Sequence, residues 1–106
     1  MSLLNLFDRN ALKIQIQTDV IRLYNLYQNS SNILRIKSKE VQAQKSVFDD
    51  ATLKYNNSDP IIDGEKYSNI LSSYSNAQTS FENARTTLEN SYRALQLRVG
   101  QSIEKE

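Results

Sequence analysis

The chain has one proline and two glycines, and the proline and one glycine fall within ten residues, Tyr55-Asn-Asn-Ser-Asp-Pro-Ile-Ile-Asp-Gly64. A chain with so few turn formers is built from few, long elements. Asn56, Asn57, Ser58 and Asp59 carry side-chain oxygens that compete with helical hydrogen bonds. Pro60 lacks an N–H and pushes Asp59 out of the helical region. Ser58, Asp59 or Asp63 can cap a new helix, with Pro60 or Gly64 in its first turn. A break this short between two helical patterns predicts an antiparallel hairpin, with the turn at about 57–63.

The totals narrow the function classes. At 106 residues, one domain is the expected count. The shortage of turns disfavours a compact sheet protein. Thirteen basic and twelve acidic residues leave a net charge of +1, so no field of one sign is available to steer nucleic acid or an anionic bilayer. With no Cys and no His, the chain lacks disulfides, thiolate chemistry, most zinc sites and the commonest general base. No apolar run approaches the ~20 residues that span a bilayer, so no membrane span is expected. No signal peptide is recognisable, and Met1-Ser2-Leu3 is compatible with an added start that replaced a native leader.

The first arm is read as helix from about 10 to 56. Leu3, Leu4, Leu6 and Phe7 form an apolar cluster ahead of it: a loose lead-in, a first turn, or the edge of something larger. Asp8 or Asn10 can cap the helix before Ala11. Val20, Tyr27, Leu34, Val41, Phe48 and Tyr55 recur every seven residues, the a positions of a heptad abcdefg. The matching d row, Leu23, Ser30, Lys37, Gln44 and Ala51, is weak. A second row runs beside it, with Leu26, Ile33 and Val47 at g and Ile36 and Ala43 at c. An apolar face this wide suits contact with more than one neighbouring helix. Gln28-Asn-Ser-Ser-Asn32 is a run of weak helix formers. A break there would give three helices. The heptad phase passes through without a slip, so an unbroken helix is preferred.

The second arm, about 64 to 99, repeats the period. Tyr67, Tyr74, Phe81, Leu88 and Leu95 take a, while Ile70, Ala77, Ala84 and Ser91 take d; Leu71, Tyr92 and Val99 extend the face at e. Small residues at d beside bulky ones at a let two helix axes approach while large side chains interdigitate. Gly100 is read as a stop and Gln101–Glu106 as a fraying tail. The remaining faces are neutral and polar, as at Gln15, Gln17, Gln28, Gln42, Gln44, Asn69, Ser72, Ser73, Asn76, Gln78 and Thr79. Such a face meets another helix, lines a water-filled space, or is a solvated surface of low charge.

No constellation of reactive side chains carries a catalytic assignment; no catalytic, cofactor-binding or metal residue is expected. Asp49-Asp50, Glu82, Glu89 and the Asp59/Asp63 pair are the notable acidic groups, and capping or solvation accounts for them better than acid/base work. Arg35, Lys37, Lys39 and Lys45 form a basic stretch containing Glu40, without aromatic stacking platforms for nucleic acid. There is no glycine-rich phosphate loop or nucleophile elbow. The tyrosines fall mostly at core-type positions, Tyr24 least so.

Val20-Ile-Arg-Leu-Tyr24, Ala51-Thr-Leu-Lys-Tyr55, Glu65-Lys-Tyr67, and the series Ala77, Phe81, Ala84, Leu88, Ala94-Leu95 and Val99-Gly100 share a phase and a turn position. Through them the chain from about Ile16 to Gly100 resembles one helical hairpin of the TolC-type outer membrane efflux proteins. The resemblance implies a periplasmic tunnel segment of a trimeric outer membrane efflux or secretion channel, whose hairpin tip docks a membrane-fusion adaptor protein. The family turn usually carries a Gly and small apolar residues, where this chain has Ser58-Asp-Pro-Ile-Ile62. The family chain is also several times longer, with two hairpin repeats and barrel strands. The expectation is therefore an all-α, long antiparallel two-helix coiled-coil hairpin, non-catalytic, self-associating through its helix faces into a four-helix bundle when isolated. A stand-alone coiled-coil scaffold or adaptor in the cytoplasm, binding partner helices, is the alternative.

Overall fold

The structure, a computed structural model, describes the backbone of residues 3–105 and the side chains of residues 8–101. It is an all-α helical hairpin: helix α1 spans Leu3–Asn56 and helix α2 spans Gly64–Lys105. The helices pair within two compact units, Met1–Ser31 with Thr87–Glu106, and Asn32–Thr86, the latter containing the reversal.

The reversal is made by backbone hydrogen bonds that close one helix and a side chain that opens the next. The Ser58 N–H donates to the Tyr55 carbonyl at 3.1 Å and the Asp59 N–H to the Lys54 carbonyl at 2.9 Å. These two bonds form a Schellman cap, which satisfies carbonyls that the helix end would otherwise orphan. The motif needs one left-handed residue, and Ser58 supplies it with φ of 57°. The Ile62 N–H then donates to the Asp59 carbonyl across Pro60, and the Ile61 N–H donates to the Asp59 side chain. Among the three candidate caps, Asp63 is the one that starts α2. Its Oδ1 accepts from the Lys66 N–H at 2.8 Å, and its carbonyl takes the first helical bond from the Tyr67 N–H.

Two boundaries differ from expectation. Helix α1 reaches back to Leu3, so Asp8 and Asn10 lie inside it rather than capping it near residue 10. The side chains of Leu3, Leu4, Leu6 and Phe7 lie outside the described residues. Helix α2 runs through Gly100 to Lys105 instead of stopping at Val99. Gly100 does not adopt a positive φ, so it makes no left-handed cap. A lone glycine costs a helix only about 1 kcal/mol, too little to end it. Between residues 28 and 32 the helix is unbroken. There the polar side chains find partners other than the local backbone: Gln28 donates to the Tyr24 hydroxyl at 2.7 Å, and Ser30 pairs with Ser91 at 3.3 Å.

In the unit that holds the reversal, the seam is aromatic. Phe48 sits between Tyr67 and Tyr74, with ring centroids 5.7 and 5.2 Å away. Tyr55 stacks on Tyr67 at 4.7 Å, nearly parallel. Ala51, only 2% exposed, provides the small site beside these rings. Thr52 Oγ1 and the Tyr67 hydroxyl lie 3.1 Å apart, giving the phenol a polar partner at the seam edge. The other unit is held differently. Ile16 is buried, Tyr27 meets Tyr92 at 5.6 Å, Ser30 meets Ser91, and Arg98 donates to the Asp19 carboxylate at 2.6 Å. In each unit, advancing along α1 means retreating along α2, as an antiparallel pair requires.

Glycine is thus absent from the position that wants it and present where it is not needed. Ser58→Gly is expected to stabilise the hairpin by about 0.5–1 kcal/mol by removing left-handed strain. A Cβ at Gly100 would meet nothing within 4 Å, so Gly100→Ala is expected to add about 0.5–1 kcal/mol. Asp63→Ala is expected to remove about 1 kcal/mol with the cap. Urea unfolding followed by far-ultraviolet circular dichroism measures all three.

Candidate functional site

The heptad divides each helix into a seam and a remainder. Positions a and d of both helices turn toward the partner helix: Val20, Leu23, Tyr27, Leu34, Val41 and Phe48 are half-buried along α1. Tyr67, Ile70, Tyr74, Phe81, Leu88 and Leu95 match them along α2. The second row is not covered. In the unit with the reversal, Ile33, Ile36, Ala43 and Val47 of α1 and Leu71 of α2 face solvent, Ile36 at 52% exposure. In the other unit, Leu12, Ile14, Ile21 and Leu26 of α1 and Tyr92, Leu97 and Val99 of α2 are exposed. There, Thr18, Ile21, Arg22, Asn25, Leu26 and Asn29 also line a shallow depression.

These faces leave the chain with an unusual balance. Among the described residues, Ile16 and Ala51 are the only buried apolar side chains. The accessible surface is 8011 Å² for a mass of 12.2 kDa. A compact monomer of that mass exposes roughly 6,100 Å². The excess is about 1,900 Å², against about 800 Å² given up by each partner in a standard specific interface.

Several of the charged groups singled out by sequence are paired along their own helix. Asp49 lies 3.7 Å from Lys45, Asp50 lies 3.0 Å from Lys54, and Glu82 lies 3.0 Å from Arg85. Each pair is a turn apart on one helix and well exposed, and so contributes a few tenths of a kcal/mol. Asp59 and Asp63 shape the reversal. Within the basic stretch, Lys37 pairs with Glu40 at 3.4 Å. Among the described residues, no three acidic side chains converge as metal ligands would, and no helix is long and apolar enough to cross a membrane. Tyr24 is exposed, as its e position predicts.

The sequence reading missed the ends of the seam. Carrying the d row one heptad further gives Arg98, and one heptad back gives Ile16. Ile16 is among the two most buried residues, and Arg98 forms the ion pair that joins α2 to Asp19 of α1. The period itself was the available signal; an Arg at a core position hid it. Gln44, read as an outward polar residue as well as a d residue, is half-buried in the seam.

Compared with protein-family models, curated proteins and solved structures, the chain has no match.

Two measurements test the seam. Phe48→Ala is expected to destabilise by about 2–3 kcal/mol, the low end for an aromatic truncation because Phe48 is only half-buried. A double-mutant cycle on Asp19→Ala and Arg98→Ala is expected to give a coupling of about 0.5–1 kcal/mol that shrinks in molar salt.

Proposed function

We propose that the chain is a non-catalytic structural hairpin that works by packing its uncovered helix faces against further helices, as one tunnel segment of a TolC-like outer membrane efflux or secretion channel. One observation carries the reading: the seam between the two helices is closed by heptad packing, yet a second set of apolar positions stays exposed on both. A helix with two apolar stripes has two helical neighbours. The hairpin form and the position of the reversal fit a tunnel segment, and the neutral polar faces suit a surface lining water. Ile61, exposed at the reversal, is where a membrane-fusion adaptor would find an apolar contact. The capped Ser58-Asp-Pro-Ile-Ile62 turn departs from the usual turn of that family, so the family's adaptor docking does not carry over to this tip by resemblance alone.

The same uncovered faces also serve a cytoplasmic coiled-coil scaffold, the second reading. The two part company over where the chain resides. Fractionation of native cells carrying an epitope tag on the chromosomal gene is expected to place the product in the outer membrane, in a complex larger than one chain. Recovery from the cytosol would replace the channel by the scaffold.

A further inference from the structure

We propose that Tyr55 and Tyr67 form a site of oxidative modification, where a one-electron oxidant of the peroxidase class joins the two rings into a covalent staple across the reversal.

Composition directs such an oxidant to tyrosine. The chain has no Cys and no Trp, one Met and six Tyr. Methionine takes up an oxygen atom to give the sulfoxide, whereas a phenol gives up one electron with its proton. The tyrosyl radical that results is consumed most readily by a second one held beside it. Two tyrosine pairs span the helices. Tyr27 and Tyr92 are tilted by 44°, with ring centroids 5.6 Å apart. Tyr55 and Tyr67 are closer, at 4.7 Å, and within 8° of parallel. At that separation parallel rings are in face-to-face contact. Of the other two tyrosines, Tyr24 bonds to Gln28 of its own helix and Tyr74 lies against Phe48.

Access and room are both present. Tyr55 is 44% exposed, so an oxidant in solution reaches its ring. Tyr67 is half-buried, and its hydroxyl lies 3.1 Å from Thr52 Oγ1 of α1, at the seam edge. The Tyr55 hydroxyl points the other way, 4.0 Å from where a Cβ on Gly64 of α2 would stand. The rings therefore overlap head to tail. Because Gly64 bears no side chain, the exposed Tyr55 ring has room to turn and bring the carbon beside its hydroxyl against the matching carbon of Tyr67.

Each phenol loses one electron and its proton, and the two radicals couple through ring carbons ortho to the hydroxyls. One C–C bond forms and two C–H bonds break. Both hydroxyls are restored, and the two electrons and two protons removed overall reduce one hydrogen peroxide to two waters. The product encloses residues 55–67, with the left-handed Ser58 and the only proline inside the loop. It keeps the bend closed when the helices come apart, as a disulfide would in a chain that had cysteines.

Treating the folded, dilute full chain with a haem peroxidase and hydrogen peroxide tests this. The expected product is a single chain lighter by two hydrogens, with dityrosine fluorescence, in which fragmentation of the tryptic peptides places the bond between Tyr55 and Tyr67. Tyr55→Phe and Tyr67→Phe are each expected to abolish it, while Tyr74→Phe and Tyr92→Phe leave its yield unchanged. Urea that unfolds the helices is expected to lower the yield, because the stack and not nearness in sequence makes the pair. Absence of the product overturns the proposal, as do crosslinks formed mainly between chains or between Tyr27 and Tyr92. So does a yield that Tyr67→Phe or urea leaves unchanged. Should Tyr67→Phe lose helicity by circular dichroism, the position of the bond in the unsubstituted chain decides. None of these outcomes depends on which helices cover the outward faces or on where native cells place the chain.

Discussion

Each helix in this hairpin has only one wall to lean on, and that constraint shapes the rest. A side chain at the seam is covered by one neighbouring helix and remains open at its flanks. Accordingly Phe48, Phe81, Leu34 and Leu88 are half-buried rather than buried. Tyrosine suits such a place, since its ring packs while its hydroxyl reaches the wet edge. Tyr67 does both, stacking on Tyr55 and bringing its hydroxyl to Thr52. Alanine is the complement. At Ala51 the side chain is small enough for the seam to cover it, leaving 2% exposed.

The two units meet this constraint with different chemistry. Beside the reversal, the overlapping rings of Phe48, Tyr55, Tyr67 and Tyr74 supply area, the currency of the hydrophobic effect. In the other unit, Ser30 against Ser91 and Asp19 against Arg98 supply direction instead. Serine pairs and partly exposed ion pairs contribute little net free energy. They discriminate, because a slip by one heptad leaves Arg98 inside the seam without its carboxylate. Ser91 also donates to the Thr87 carbonyl, so its hydroxyl is held in place by its own helix.

Much of this was legible in the sequence, and the failures have physical causes. The reversal was readable because Pro60 and the Asn-Ser-Asp run are incompatible with continuing a helix. The seam was readable because seven-residue spacing survives even where the residue is Ser30 or Lys37. The helix ends were not readable. Asp8 and Asn10 are good caps only where a helix begins, and nothing local reveals that α1 had already begun at Leu3. Gly100 has the composition of a stop but not the conformation of one. The choice of Asp63 over Ser58 and Asp59 depended on where the Schellman bonds left the chain after its left-handed residue. As for the candidate site, the exposed stripe of Ile33, Ile36 and Val47 was visible as a second period. The ion pair between Asp19 and Arg98 joins positions too far apart in sequence for local reasoning to connect.

Because the polypeptide reverses once, its cross-helix contacts range from short loops to long ones. Thr52 and Tyr67 stand 15 positions apart, whereas Asp19 and Arg98 stand 79 apart. Closing the longer loop directly from a random chain costs about 1.5 kcal/mol more than closing the shorter one. Once the aromatic rings beside the proline have met, each further layer encloses only a few new residues, and that difference vanishes. The cheapest route to the assembled state therefore starts at the bend and advances toward the termini. Among the last teeth to engage would be the Asp19–Arg98 clasp and, beyond it, Ile16.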